Sequence, residues 1–190
     1  NGTIWVATNN GLNRFISDED GFEKYLHDSS NPATISANNI RSLTEDSQGR
    51  LWIGTYSGGL NRYDRHTDTF IHYTTRDGLG SNNVLSIVEG DDSRIWVSTR
   101  GGINIIDPKT DTIELIDERD GLFGVFFNFG SYKDENGAIY FGGNHGITRI
   151  DSARKFINQH PPEVHITNIS VLGKTVPHTS AVYDGADLTF

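Results

Sequence analysis

One strand–turn–strand sentence is written four times along this chain. Residues 2–15 read GTIWVATNNGLNRF, residues 49–64 GRLWIGTYSGGLNRYD, residues 93–107 SRIWVSTRGGINIID and residues 137–151 GAIYFGGNHGITRID. Trp5, Trp52, Trp96 and Tyr140 hold equivalent places, separated by 47, 44 and 44 residues. Gly11, Gly59, Gly102 and Gly146 follow them by 6, 7, 6 and 6 residues. A fixed period of this length is the mark of a repeat architecture, in which each unit completes its core on its neighbours.

The local pattern within a unit is β. LWIGT and IWVST are short, rich in β-branched and aromatic residues, and bounded by turn formers. They are apolar almost throughout rather than alternating, which predicts burial on both faces. Four strands fit one unit. Strand A is NIRSLTE (39–45) or NVLSIVE (83–89), and strand B carries the aromatic residue. Asp- and Gly-rich turns, DSQG (46–49) and DENG (134–137), join A to B. Strand C follows the glycine loop, and strand D is FIHYTT (70–75) or IELIDE (113–118). RDGL then returns the chain at 76–79 and 119–122. Helical periodicity is sustained nowhere.

Four strands in about 44 residues is the period of a propeller blade. The expected fold is therefore all-β: part of a β-propeller, followed by the first strands of a β-sandwich. A partial blade occupies 1–26, further blades about 27–75 and 76–118, and a last blade about 119–157. Linker and sandwich take 159–190. Pro161-Pro162 punctuates the change, since neither residue can donate to a ladder. VHITNISV (164–171) alternates with period 2, and Leu172-Gly173-Lys174 reads as a hairpin turn. Trp5, Trp52, Trp96 and Tyr140 are assigned a structural role between blades. Strand A of the first unit is missing, and two whole blades with two partial ones cannot close a ring. Expressed alone, the 190 residues are expected to leave apolar blade faces uncovered and to self-associate.

Two resemblances rest on these residues. The turn DSQGRLW resembles the aspartate-box turn of sialidase blades, with one residue more between Asp46 and Trp52. EDSQGRLWIGTYSGGLNRYD resembles the two-component regulator propeller repeat, and FNFGSYKDENGAIYFGGNHGITRID is similar to the last blade of such sensors. PPEVHITNISVLGKTVP resembles the opening of the triple-tyrosine β-sandwich that follows their propeller. The resemblance implies the extracytoplasmic, periplasmic side of a bacterial receptor, acting on a cytoplasmic histidine kinase or diguanylate cyclase. It also implies an oligosaccharide or other small ligand, and a homodimer in the full receptor. The membrane would be reached only through regions outside this sequence.

Composition narrows the chemistry. With 16 Lys and Arg against 25 Asp and Glu, the net charge is −9, which argues against a nucleic-acid partner. Cys is 0, which excludes disulfides, a thiol nucleophile and a Cys-ligated zinc. The seven His residues have no metal spacing, so neither metal nor cofactor is expected.

In a propeller the B–C and D–A loops share one face. Here those loops offer Tyr56, Arg100, Asn144 and His145, with Asn82 and Asn83. Amide, phenol and cation together suit the hydroxyls of a sugar. Asn and Gly would also serve turn geometry alone. Ligand sensing is the favoured reading, with a protein-interaction or dimerisation propeller as the alternative. A propeller glycosidase or lyase would need paired carboxylates, and Asp77 and Asp120 are the equivalent acids of that face.

Overall fold

The computed structural model describes residues 2–18, 20–122, 124, 127–144, 146–151, 169–171 and 174–176. The chain divides into two compact units, Asn1–Phe156 and Ile157–Phe190. The first is a succession of antiparallel meanders. Strands β1 (Trp5–Thr8), β2 (Gly11–Ile16) and β3 (Gly21–Tyr25) form a three-stranded sheet. Strands β4 (Ile40–Glu45), β5 (Leu51–Thr55), β6 (Leu60–Asp64) and β7 (Thr69–Tyr73) form a four-stranded one. So do β8 (Val84–Glu89), β9 (Ile95–Thr99), β10 (Gly102–Asp107) and β11 (Thr112–Ile116). Strands β12 (Phe127–Lys133), β13 (Ala138–Gly143) and β14 (Gly146–Asp151) make the last sheet of this unit. Each sheet runs in sequence order, the up-and-down order of propeller blades.

All five residues of β5 and of β9 are buried, because both faces of these strands are covered by neighbouring sheets. Trp5, half-buried, packs with Ile40, Leu51, Ile53, Tyr63 and Phe70 of the second sheet. Trp52, fully buried, packs with Val84, Ile87, Ile95, Val97 and Ile106 of the third. Trp96, also fully buried, packs with Phe127, Ile139, Phe141 and Ile150 of the last. Each tryptophan thus leans on the following blade. Tyr140, at the same place in the last sheet, is half-buried. The most exposed large apolar side chains among the described residues are Ile147, Tyr132, Phe22 and Ile4, all in or beside the first and last sheets.

The tight turns between first and second strands are knotted by an aspartate. Asp46 accepts from the backbone N–H groups of Gln48 (3.0 Å) and Arg50 (2.9 Å), from Arg50 Nε (2.7 Å) and from Trp52 Nε1 (2.8 Å). Asp134 does the same for Asn136, Ala138 and the Tyr140 hydroxyl at 2.9, 2.9 and 3.0 Å. In the third blade that position is Gly90, and Asp92 accepts from Arg94 instead.

Neighbouring blades are also stapled at the turn between third and fourth strands. Asp68 and Asp111 both adopt φ of +54°, a left-handed conformation that aspartate tolerates. Asp68 accepts from Tyr25 of the preceding blade at 3.0 Å, and Asp111 from Tyr73 of its own preceding blade at 2.6 Å. Arg62 completes the second staple at 3.0 Å from Asp111 while lying over the Trp52 and Tyr73 rings. Burial, then the bond to Asp111, pushes the pKa of the Tyr73 phenol up, so this donor keeps its proton throughout the physiological range.

The expected strands D end earlier than the sequence pattern suggests. Thr74 and Asp117 instead cap short 3-10 turns, Thr75–Asp77 and Glu118–Asp120. In the second unit β15 (Ile169–Val171) and β16 (Lys174–Val176) pair antiparallel across a two-residue connection, the expected hairpin. Pro161, Pro162 and residues 164–168 lie outside the described residues.

Candidate functional site

The loops between second and third strands meet the loops that enter each blade, so both sit at one end of the sheets. Gly11 N donates to Asn38 O at 2.7 Å and Gly59 N to Asn82 O at 2.9 Å. Tyr56 N donates to Asn39 O at 2.9 Å and Arg100 N to Asn83 O at 3.3 Å. The threonine that closes each second strand supports this end. Thr55 Oγ1 donates to Gly59 O at 2.8 Å, and Thr99 Oγ1 to Gly102 O at 3.1 Å. Buried Asn61 and Asn104 hold the incoming loops. Ser36 N donates to Asn61 Oδ1 at 2.9 Å, and Gly80 N to Asn104 Oδ1 at 2.8 Å.

The loops approach so closely that a side chain has no room at Gly101, where a Cβ would lie 2.1 Å from Gly80 O. Gly101→Ala is therefore expected to cost about 1–3 kcal/mol by forcing backbone apart, read as a lowered thermal midpoint. An unchanged midpoint would mean that the two loops are not in contact.

On this rigid base Tyr56 and Arg100 occupy the same position of successive blades. Tyr56 is 41% exposed. The Arg100 guanidinium lies 5.9 Å from the centre of its ring, and that of Arg41 lies 5.0 Å from it. Arg41 was not among the residues picked out from sequence. It stands where the pairing of β4 with β5 slips between Ile40 and Ser42, and a bulge of this kind re-aims a side chain. The third blade has the same slip between Val84 and Ser86, with Leu85 there buried in the core.

The asparagines divide. Asn82 Oδ1 accepts from Thr75 N at 2.8 Å, as Asn38 Oδ1 accepts from His27 N at 2.7 Å, so both amide oxygens anchor the end of the preceding blade. Asn39 Oδ1 and Asn83 Oδ1 are buried without a hydrogen-bond partner. Each such unmade bond costs about 1–3 kcal/mol, and here it recurs at equivalent positions of neighbouring blades. Asn144 is exposed at the corresponding position of the last sheet. His145 lies outside the described residues. The site is thus Tyr56 between Arg41 and Arg100, with Asn39 and Asn83 beneath.

The carboxylates of the same face are engaged otherwise. Asp77 Oδ2 accepts from Thr74 N at 2.8 Å, and Asp120 Oδ2 from Asp117 N at 3.0 Å, each closing a capping box. Among the described residues no group of three or more His, Asp or Glu is placed to hold a metal ion. No described helix is long and apolar enough to cross a membrane.

Residues 34–57 and 78–101 match the family model described as two component regulator propeller. Each match spans an incoming loop, a first strand, the tight turn and a second strand ending at Tyr56 or Arg100. The two complete blades carry two-component regulator propeller repeats. The fold is similar to the extracellular domain of the hybrid two component system BT3049 from B. thetaiotaomicron, at 25% identity over 80% of this chain and 21% of that one, with a TM-score of 0.68. It is similar to the extracellular domain of BT4673 from the same organism, at 29% identity over 78% of this chain and 22% of that one, with a TM-score of 0.67. This chain therefore spans about a fifth of the length of those regulator-propeller domains. Virginiamycin B lyase from Staphylococcus aureus shares the fold alone, at 20% identity over 79% of this chain and 52% of that one, with a TM-score of 0.56. No curated protein matches the sequence.

Proposed function

We propose that these blades are part of the extracytoplasmic ligand-sensing region of a two-component receptor, and that the face bearing Tyr56 takes the ligand. The ligand is an oligosaccharide or a molecule of similar polarity, and the output is a cytoplasmic histidine kinase. The observation that carries this reading is Tyr56 itself. A tyrosine 41% exposed, with two guanidiniums held at its ring and two amide oxygens left unsatisfied nearby, contributes little to packing. It offers a stacking face and donors of the kind that bind hydroxylated rings. Asp77 and Asp120, whose carboxylates cap 3-10 turns, do not favour the glycosidase reading. Binding without turnover suits a sensor, because a ligand shifts a receptor only by its different affinity for two states. A change in how two propellers of a homodimer meet would transmit that difference.

Tyr56→Ala combined with Arg100→Ala, made in the full receptor, is expected to weaken ligand binding by at least about tenfold, or ~1.4 kcal/mol, and to abolish kinase output. Both side chains lie in an exposed loop, so stability should change by no more than about 0.5 kcal/mol. Calorimetry beside a phosphorylation assay measures both. A double variant that binds and signals like the parent places the site elsewhere in the receptor.

A further inference from the structure

Cations in this acidic chain are nearly all spoken for. Arg14, Arg50, Arg62, Arg65, Arg94 and Arg119 are each held by a carboxylate. Arg100 is different. Among the described residues its guanidinium has no ion-pair partner, and it meets the Tyr56 ring instead. Its neighbour across that ring centre is a second guanidinium, Arg41. Two like charges gathered at one phenol repel each other, and nothing in the blade architecture asks for either. The position of Arg41 is Leu85 in the next blade. The position of Arg100 is Tyr56 in the preceding blade and Asn144 in the following one. Blades of the same fold are completed without these cations.

Resting on the ligand-sensing reading above, we infer that the ligand is an acidic sugar, whose carboxylate or sulfate is held by Arg100 and Arg41 while its ring lies against Tyr56. A guanidinium presents its donors in a planar fork that matches such an oxyanion group. Placed in a chain of net charge −9, the pair makes a local positive spot that draws an anion in. The negative surroundings repel a polyanion, so the ligand is short and carries few charges. Asn39 Oδ1 and Asn83 Oδ1 supply what the arginines lack, acceptors for hydroxyl groups. These oxygens are buried, so the amides turn outward to meet the ligand. A molecule that answers two forks of donors and two amide acceptors at once bears both an acid and hydroxyls.

The test titrates the complete extracytoplasmic region with three probes: a galacturonate disaccharide, a sulfated galactose disaccharide and the neutral galactose disaccharide. Calorimetry at low and high salt is expected to show one of the two acidic probes binding at least about tenfold tighter than the neutral one, with added salt eroding the difference. Which acidic probe wins separates carboxylate from sulfate. Arg100→Gln should remove the preference and leave the weak neutral binding as it was. Arg41→Leu, which installs the next blade's residue, should do the same with an unchanged melting temperature. Equal affinity for neutral and acidic probes, or a preference that survives Arg100→Gln, overturns the inference. Neutral binding that is lost in Tyr56→Ala would overturn the charge assignment while leaving the sensing site standing. Failure of all three probes overturns the acidic sugar. Output that still answers the native signal in the Tyr56 and Arg100 double variant would overturn the sensing site as well.

Discussion

Trp52→Ala is expected to lower the unfolding free energy by about 3–5 kcal/mol, the cost of truncating a large aromatic side chain in a core that cannot collapse around the gap. The indole is fully buried and packs against Val84, Ile87, Ile95, Val97 and Ile106 of the next sheet. Its neighbours on its own blade are as constrained. Tyr73 lies 5.7 Å away, ring centre to ring centre, and the Arg62 guanidinium lies 5.6 Å from the indole. Tyr73 and Arg62 both reach Asp111 on the next blade, so the cavity would open beside the staple that joins the two sheets. Trp5→Ala should cost less, because Trp5 is only half-buried. Chemical denaturation of the two variants measures the order. A loss below about 1 kcal/mol for Trp52→Ala would mean that the interface between these blades contributes little to stability.

The period, the strand composition and the aromatic position made the blades readable before any coordinates. Continuous apolar runs such as LWIGT announced strands covered on both sides, and β5 and β9 are buried throughout. What pattern does not reveal is where a pairing slips. Arg41 sits in a run, NIRSLTE, that reads as an ordinary strand, and only the bulge between Ile40 and Ser42 sets it beside Tyr56. The contrast with Leu85 in the equivalent run NVLSIVE was the available signal.

Asparagine is ambiguous for a physical reason. The same amide that suits a sugar hydroxyl also caps a chain end, and sequence does not say which partner arrives. Asn82 and Asn83 are adjacent and chemically identical, yet Asn82 Oδ1 holds Thr75 N while Asn83 Oδ1 is left unsatisfied. The repeated Asn of GLN and GIN, and the Thr before each loop, carry the architecture of this end of the blades. Their short bonds to loop backbone, as at Asn61 and Thr55, hold Tyr56 and Arg100 in place without touching a ligand.

The second large effect belongs to Asp46, and it depends on pH. Asp46→Ala removes the acceptor of four hydrogen bonds and leaves the indole N–H of Trp52 buried without its partner. About 3 kcal/mol is expected at neutral pH, in the range found when one member of a buried charged pair is deleted. Burial alone would push the Asp46 carboxyl up. The bonds from Trp52 and Arg50, with the charge of Arg50, outweigh it and hold the pKa below the ordinary carboxylate value. A carboxylate whose pKa is depressed by folding stabilises the native state fully above its unfolded pKa, near 3.9. That contribution disappears as the pH falls through the lower, folded value. The stability gap between the parent and Asp46→Ala should therefore be wide at pH 7 and narrow progressively below about pH 4, as urea titrations on either side of that value would measure. Third-blade turns, built on Gly90 with Asp92 serving only Arg94, provide the internal control. Removing Asp92 takes no acceptor from a tryptophan, and its effect should be small. A gap for Asp46→Ala that stays constant through the acid range would show that the carboxylate acts there by shape alone and not by charge.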